Sequence, residues 1–359
     1  MTTDDLTAGA RNLLVNCAEL APGETVLIVR ESAEFGWYTD DASEALASTA
    51  RAMGIDPTFL DVGAPDNDRD PRVSEAMDAH DCTVFMARIG DQDRFAEPVP
   101  GRKTVMSYAR TAEALASAYG CCDHRALLQL KEAVNDILLN AKSIRVTCPL
   151  GTDLTGNALD DELEEVSDVS VRRFPMGVPQ PLSATAFSGF VALARYLTPT
   201  GSRTYDPPSI AIDGVVMAEI GYGQIANLHG EDDMIDRIRT HHTMVGEKFG
   251  IDGNAIHSFH AGIHPASGYT KPAAEDPDRW SNSVFTNPRI LHFHTCGAVA
   301  PAEICWMLID HTLTVDGVDL WQDGRLCADA FEGTRRCQED WPELAALIAT
   351  PTRDIGLVS

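Results

Sequence analysis

Histidines are concentrated in one stretch of this sequence. Seven of the eleven lie between residues 241 and 294: His241, His242, His257, His260, His264, His292 and His294. Neutral imidazole is a common metal ligand, and it also transfers protons near neutral pH. A cluster of this density therefore predicts a metal site or a proton-transfer site.

The pair His292 and His294 is the most informative part of the cluster. It lies in Ile290 to His294, a run that predicts a β-strand. Residues two apart on a strand share a face, so the two imidazoles could be adjacent ligands of one ion. The third ligand is expected from three candidates: His257, His260 and His264.

His241 and His242 lie in the segment Arg237 to Glu247, which is typical of an exposed helix. We therefore expect these two histidines on a solvated face, outside the metal site.

Strands alternate with helices in the first part of the chain. The predicted strands are Thr25 to Val29, Thr58 to Val62, Thr83 to Ala87 and Lys103 to Tyr108, with helical stretches such as Ala42 to Met53 between them. This alternation implies right-handed βαβ crossovers and a mainly parallel sheet. No glycine-rich nucleotide-binding motif follows any of these strands, so nothing supports dinucleotide or nucleoside triphosphate binding.

Near residue 143 the pattern changes to short strands with more glycine and proline, including a hairpin signal at Asp316-Gly317. We expect two domains: an N-terminal, mainly parallel α/β domain over residues 1–142, and an α+β metal-binding catalytic domain over residues 143–359. The acidic, proline-containing stretch Tyr269 to Ser283 predicts a surface loop.

The composition of the chain disfavours several kinds of binding partner, including nucleic acid and membranes. The 359 residues carry a formal charge of −26, which disfavours binding to nucleic acid or to anionic membranes. Met1 to Ala10 lacks the apolar run of a signal peptide, and no stretch approaches the roughly 20 apolar residues of a membrane helix.

The nine cysteines form no C-x-x-C pair and are expected to be reduced. We expect a cytoplasmic protein.

Six segments stand out along the chain: APGETVLI at 21–28, IRVTCPLGTDLT at 144–155, FPMG at 174–177, HFH at 292–294, VDG at 315–317 and DGR at 323–325. These segments, in this order, resemble the aminopeptidase T-like metalloproteins, a family that includes metallopeptidases and 2,5-dihydroxypyridine 5,6-dioxygenases. The resemblance covers most of the chain, and the segment at 144–155 is its most specific part.

The resemblance implies a ligand set, with two departures from the family. His260, His292 and His294 match the family's metal ligands, but His294 stands where the family has Asp. Val178 stands where the peptidases have a metal-binding Glu after the P-x-G segment, so a two-metal site is poorly supported. The residues after Val178 also lack the dioxygenases' Glu and histidines, so the expected substrate is not dihydroxypyridine itself.

The dioxygenase branch matches better, which predicts a mononuclear non-heme iron(II)-dependent oxygenase. Its Fe²⁺ would be held by three histidines, and it would act on a small chelating metabolite, aromatic, heteroaromatic or related, together with dioxygen. The alternatives are a zinc-dependent hydrolase or aminopeptidase, with Zn²⁺ as the cofactor, and a non-catalytic metal-binding homologue. The hydrolase would need a carboxylate base, for which Glu219 and Glu247 are the candidates. The resemblance also implies a homo-oligomer, a dimer or higher.

Two further residues are candidates for proton transfer to bound oxygen or substrate. Tyr108 ends a predicted strand of the first domain, and His264 follows the candidate ligand His260.

Overall fold

The computed structural model describes residues 2–66, 70–93, 99–158 and 171–357, and the statements below concern these residues. In chain order, the described strands are β1 (Thr25–Glu31), β2 (Asp56–Val62), β3 (Cys82–Met86), β4 (Lys103–Ser107), β5 (Ile144–Thr147), β6 (Asp153–Gly156), β7 (Arg172–Phe174), β8 (Leu182–Ser183), β9 (Ser188–Pro199), β10 (Ile210–Gly221), β11 (Gln224–His229), β12 (Ile256–Ala261), β13 (Ile290–Cys296), β14 (Glu303–Ile309), β15 (Thr312–Val315), β16 (Val318–Gln322) and β17 (Arg325–Leu326). The described α-helices are α1 (Thr3–Arg11), α2 (Asp40–Ala52), α3 (Pro71–Asp78), α4 (Ala112–Ala116), α5 (Ala118–Cys121), α6 (His124–Leu139), α7 (Asp232–Phe249), α8 (Pro277–Val284), α9 (Glu332–Asp340) and α10 (Pro342–Ala349).

The first sheet is parallel, as predicted. Its strands are ordered β2-β1-β3-β4-β7, and each neighbouring pair is parallel. All five residues of β3 are buried, as expected for a central strand of a parallel sheet that is covered on both faces. Helix α2 ends just before Gly54, whose φ of 75° is the left-handed conformation common at helix ends.

The second sheet is antiparallel. Its described strands are ordered β17-β16-β15-β5-β6-β9-β14-β13-β12-β8, and β10 joins β9 to β11. The predicted hairpin is present between β15 and β16. Asp316 and Gly317 form its turn with φ of 49° and 86°, the positive values that a tight hairpin turn needs. The predicted fold class, a parallel α/β part followed by an α+β part, is confirmed.

The chain divides into two compact units. The first contains Met1–Leu128 with Asp168–Gly177, and the second contains Gln129–Ser167 with Val178–Ser359. The parallel sheet belongs to the first unit and the antiparallel sheet to the second. The domain boundary between residues 142 and 143 stays a prediction.

The core of the second unit lies partly behind strands β12 and β13. Phe259 and Phe293 are both fully buried, with ring centroids 5.0 Å apart, and Phe187 packs edge-on against Phe259 at 4.8 Å. Aromatic pairs at such distances stabilise beyond the apolar area that they bury. Because successive side chains of a strand point to opposite faces, one face of β12 and β13 packs into this aromatic core and the other face is left for polar side chains.

Two predictions of exposure were wrong. The stretch Tyr269 to Ser283 is not all surface loop, because α8 begins within it and Trp280 is buried, with its indole N–H donating to the Ile355 carbonyl at 2.6 Å. Helix α7 is present, but His241 and His242 on it are buried, not solvated.

In the described part of the chain, no helix combines the length and the apolar character that crossing a bilayer requires.

Candidate metal centre

The register of β12 against β13 places four polar side chains side by side. His260 lies opposite His292, and Ser258 lies opposite His294, in the antiparallel pairing of the two strands. Residues 258 and 260 are two apart, as are 292 and 294, so each pair shares a face of its strand. Directly opposed side chains of an antiparallel pair are close neighbours.

The three imidazoles of His260, His292 and His294 form one compact group. One ring nitrogen from each lies within 4.8 Å of the other two, and the Nε2 atoms of His260 and His292 are 2.9 Å apart. The His294 ring centroid is 5.0 Å from each of the other two. All three side chains are buried, so the group is shielded from bulk water.

Hydrogen bonds at Nδ1 orient two of the rings. The Nδ1 atom of His260 is 2.9 Å from the carbonyl oxygen of Pro179, which can only accept, so this nitrogen carries the proton. Its Nε2 atom then has a lone pair that faces His292. The Nδ1 atom of His294 is 2.9 Å from Oγ of Ser258. Outer hydrogen bonds of this kind fix the tautomer of a metal-binding histidine.

The donor set fits one transition-metal ion. With metal–nitrogen bonds of about 2.1 Å, adjacent ligands of an octahedral ion lie about 3.0 Å apart, and those of a tetrahedral ion about 3.4 Å apart. The 2.9 Å separation between the Nε2 atoms of His260 and His292 is close to these values, and a nitrogen of His294 lies within 4.8 Å of the other two rings' nitrogens. Imidazole nitrogens suit iron, zinc, copper and nickel, whereas magnesium and calcium prefer oxygen.

No Asp or Glu among the described residues belongs to this centre. Among the residues that the structure describes, the three histidines are the one group of His, Cys, Asp and Glu with metal-binding spacing. Glu219 is half-exposed and pairs with His229 at 3.3 Å, and Glu247 is exposed on α7. Val178, at the position where the family peptidases are expected to have a Glu, is buried and apolar. The described surroundings therefore supply one three-nitrogen site.

The structure distinguishes the three candidates for the third ligand. His260 joins the pair on β13, whereas the Nε2 atom of His257 lies 2.9 Å from the Cys296 carbonyl. His264 follows the end of β12, is fully buried, and accepts the Ala266 backbone N–H at its Nδ1 atom. His257 and His264 are outside the group.

Tyr108 lies in the first unit, just after β4. Its hydroxyl group donates to Oδ1 of Asp91 at 2.7 Å, and the Arg110 guanidinium lies 5.8 Å from the centre of its ring. The side chain is buried. Its role, like that of His264, stays a prediction.

His241 and His242 are buried histidines that the sequence pattern predicted to be exposed to solvent. His242 contacts the Gly253 carbonyl through Nδ1 at 2.7 Å and accepts the Trp306 indole N–H at Nε2, 3.2 Å away. Burial lowers the pKa of both histidines to about 4. Both therefore remain neutral at physiological pH.

Two groups that contact the clustered histidines, the Ser258 hydroxyl group and the Pro179 carbonyl, were not predicted from the sequence. Ser258 precedes His260 by two residues, so the strand period could have placed it on the metal face. Pro179 lies far from β12 in the sequence, and no local pattern indicated its contact with His260.

Comparison with known proteins gives structural neighbours but no match in sequence. No protein-family model matches the chain, and no curated protein matches it. Among solved structures, the chain is similar to 2,5-dihydroxypyridine dioxygenase from Pseudomonas putida KT2440, with a TM-score of 0.60, 13% identity, and coverage of 93% of this chain and 100% of that one. It is also similar to wild-type AmpT from Thermus thermophilus, with a TM-score of 0.52, 12% identity, and coverage of 90% and 99%. The resemblance predicted from the sequence is thus confirmed in the fold: this chain has the fold that the dioxygenase and AmpT share.

Proposed function

We propose that this protein is a mononuclear non-heme iron(II)-dependent oxygenase that acts on a small chelating metabolite, aromatic, heteroaromatic or related. The observation that carries the proposal is the buried group of His260, His292 and His294, with no carboxylate among the described metal-binding neighbours. Three ligands on one face of an iron leave the remaining positions open, as in oxygenases with a facial triad.

The protein's own groups have three tasks in this proposal. His260, His292 and His294 would hold the metal through Nε2. The Pro179 carbonyl would keep the His260 ring in the orientation that directs Nε2 inward. Phe285, edge-on to His292 with ring centroids 5.7 Å apart, would restrict the movement of that ring. The bound iron would supply the one-electron chemistry that reaction with dioxygen requires.

The charge of the site bears on the substrate class. Three neutral imidazoles leave the full 2+ charge of the ion, whereas a set with one carboxylate would reduce it by one. An anionic chelating substrate is therefore favoured, for example one with two adjacent oxygen atoms.

A zinc-dependent hydrolase or aminopeptidase is the second candidate, because AmpT shares the fold. Metal-assisted hydrolysis needs a carboxylate or similar base near the metal-bound water. The two glutamates expected from the sequence lie outside the three-histidine group, Glu219 half-exposed and Glu247 exposed. The geometry supports this candidate less well than the oxygenase. A non-catalytic metal-binding homologue is the third.

The test is metal analysis of protein purified without oxygen, combined with oxygen consumption on a panel of catechols, hydroxypyridines and related chelators. We expect about one iron per chain and substrate-dependent oxygen uptake. His292→Ala should abolish both, whereas His257→Ala, a change on β12 outside the group, should retain them. Two zinc ions per chain with peptidase activity would support the hydrolase, and metal binding without either activity would support the non-catalytic homologue.

We also propose a cytoplasmic location and a homo-oligomer, a dimer or higher. Light scattering of the purified protein tests the oligomer, and a mass equal to one chain of 38.9 kDa would contradict it.

A further inference from the structure

We propose that Ser258 is a positioning residue for the metal centre: its hydroxyl oxygen accepts a hydrogen bond from Nδ1–H of His294 and so directs the Nε2 lone pair of that ring toward His260 and His292. The inference rests on the proposed metal site, but its main test does not need a metal.

The geometry of the strand pair supports this role. Ser258 and His294 are direct partners in the register of β12 and β13, and their Oγ and Nδ1 atoms are 2.9 Å apart. His294 is buried, and its ring lies 5.0 Å from both other imidazoles. With Nδ1 directed at the serine, Nε2 is the nitrogen of His294 that remains for the group.

The direction of the hydrogen bond decides whether the site can form. If the Ser258 hydroxyl group donated to Nδ1, the neutral ring would carry its proton on Nε2 and could not bind a cation there. If the hydroxyl group accepts, Nε2 has a free lone pair. His260 shows the second arrangement without ambiguity, because a carbonyl oxygen can only accept. The same arrangement at His294 gives His260 and His294 the same orientation, with the proton on Nδ1 and the lone pair on Nε2.

This role has a measurable consequence for metal affinity. Loss of an outer hydrogen-bond partner of a metal-binding histidine typically weakens binding 10–100-fold. Ser258→Ala removes the acceptor and leaves the His294 ring in place. Ser258→Thr keeps a hydroxyl group on a strand position that favours β-branched residues.

The first experiment measures the tautomer of His294 by ¹⁵N NMR of the metal-free protein with labelled histidine. We expect the proton on Nδ1 in the wild type and in Ser258→Thr, and an increased Nε2-protonated fraction in Ser258→Ala. A wild-type ring protonated on Nε2, or a His294 spectrum unchanged in Ser258→Ala, would overturn the inference. Because the wild-type spectrum is itself decisive, the test holds even if the alanine variant does not fold.

The second experiment measures the affinity for Co²⁺ by competition with a chromophoric chelator. We expect Ser258→Ala to bind Co²⁺ 10–100-fold more weakly than the wild type. Ser258→Thr should keep most of the wild-type affinity, and Ser188→Ala should have the wild-type affinity. Ser188 is an exposed serine at the start of β9 in the same sheet. Equal affinity in Ser258→Ala and wild type would refute the positioning role alone. A wild type that binds no metal would refute the proposed function, while the NMR result for Ser258 would still stand.

Discussion

Acidification should destabilise the second unit through His242. This side chain is buried on α7, between the Gly253 carbonyl at Nδ1 and the Trp306 indole N–H at Nε2. Because Nε2 must accept from Trp306, a second proton on the ring would break that bond and place a charge in the core. Burial accordingly lowers the pKa of His242 from 6.5 to about 4.

The sign and size of the effect follow from the two states. Between pH 6.5 and pH 4 the unfolded chain binds a proton on this histidine and the folded chain does not, so stability falls as the pH falls. The contribution is fully present above pH 6.5. The loss approaches about 1.4 kcal/mol per pH unit, or about 2 kcal/mol at pH 5.

Urea unfolding followed by tryptophan fluorescence at pH 7, 6 and 5 measures this loss, because Trp280, Trp306 and Trp321 are all buried in the second unit. The control is His242→Gln, whose amide can donate to Gly253 and accept from Trp306 without titrating. We expect the variant to lose about 2 kcal/mol less than the wild type between pH 7 and pH 5. Identical pH dependence in the two proteins would refute the argument. Burial also lowers the pKa values of His241 and His311 to about 4. Both residues are present in the wild type and in the variant, so the difference between the two proteins reports on His242.

Three further predictions concern single side chains. His294→Asp should retain the metal and change activity or substrate preference, because it lowers the charge of the site by one; loss of the metal, measured by elemental analysis, would contradict this. If Tyr108 and His264 transfer protons, then Tyr108→Phe or His264→Ala should reduce turnover about 10²–10⁴-fold in steady-state assays, and full turnover in both would remove that role. Trp280→Phe should destabilise the protein by about 2–4 kcal/mol in urea unfolding, because it removes the bond to the Ile355 carbonyl and leaves a cavity, and a change below about 0.5 kcal/mol would contradict this.

The alternation of strands and helices and the pairing of His292 with His294 could be predicted from the sequence, because both depend on patterns that repeat over a few residues. The spacing of His292 and His294 placed them on one face of β13, and the structure shows this. The choice of His260 over His257 and His264 came from the family resemblance. The sequence spacing of these three histidines did not decide between them, because the register of the strands determines which residue of β12 faces His292.

The buried histidines of α7 could not be predicted in this way. A helical pattern shows which face is apolar, but not what packs over the remaining positions. His241 and His242 are covered in the folded chain, and the hydrogen-bond partners of His242 lie 11 and 64 residues away in the sequence. The burial of Trp280 has the same origin, because its partner Ile355 is 75 residues away.

The most direct test of the metal centre is a crystal structure of the iron-loaded protein with anomalous diffraction measured at the iron edge. We predict one anomalous peak per chain, about 2.0–2.2 Å from the Nε2 atoms of His260, His292 and His294. A peak more than about 4 Å from His260, a second strong peak in the same chain, or His292 and His294 on opposite faces of their strand would contradict the account.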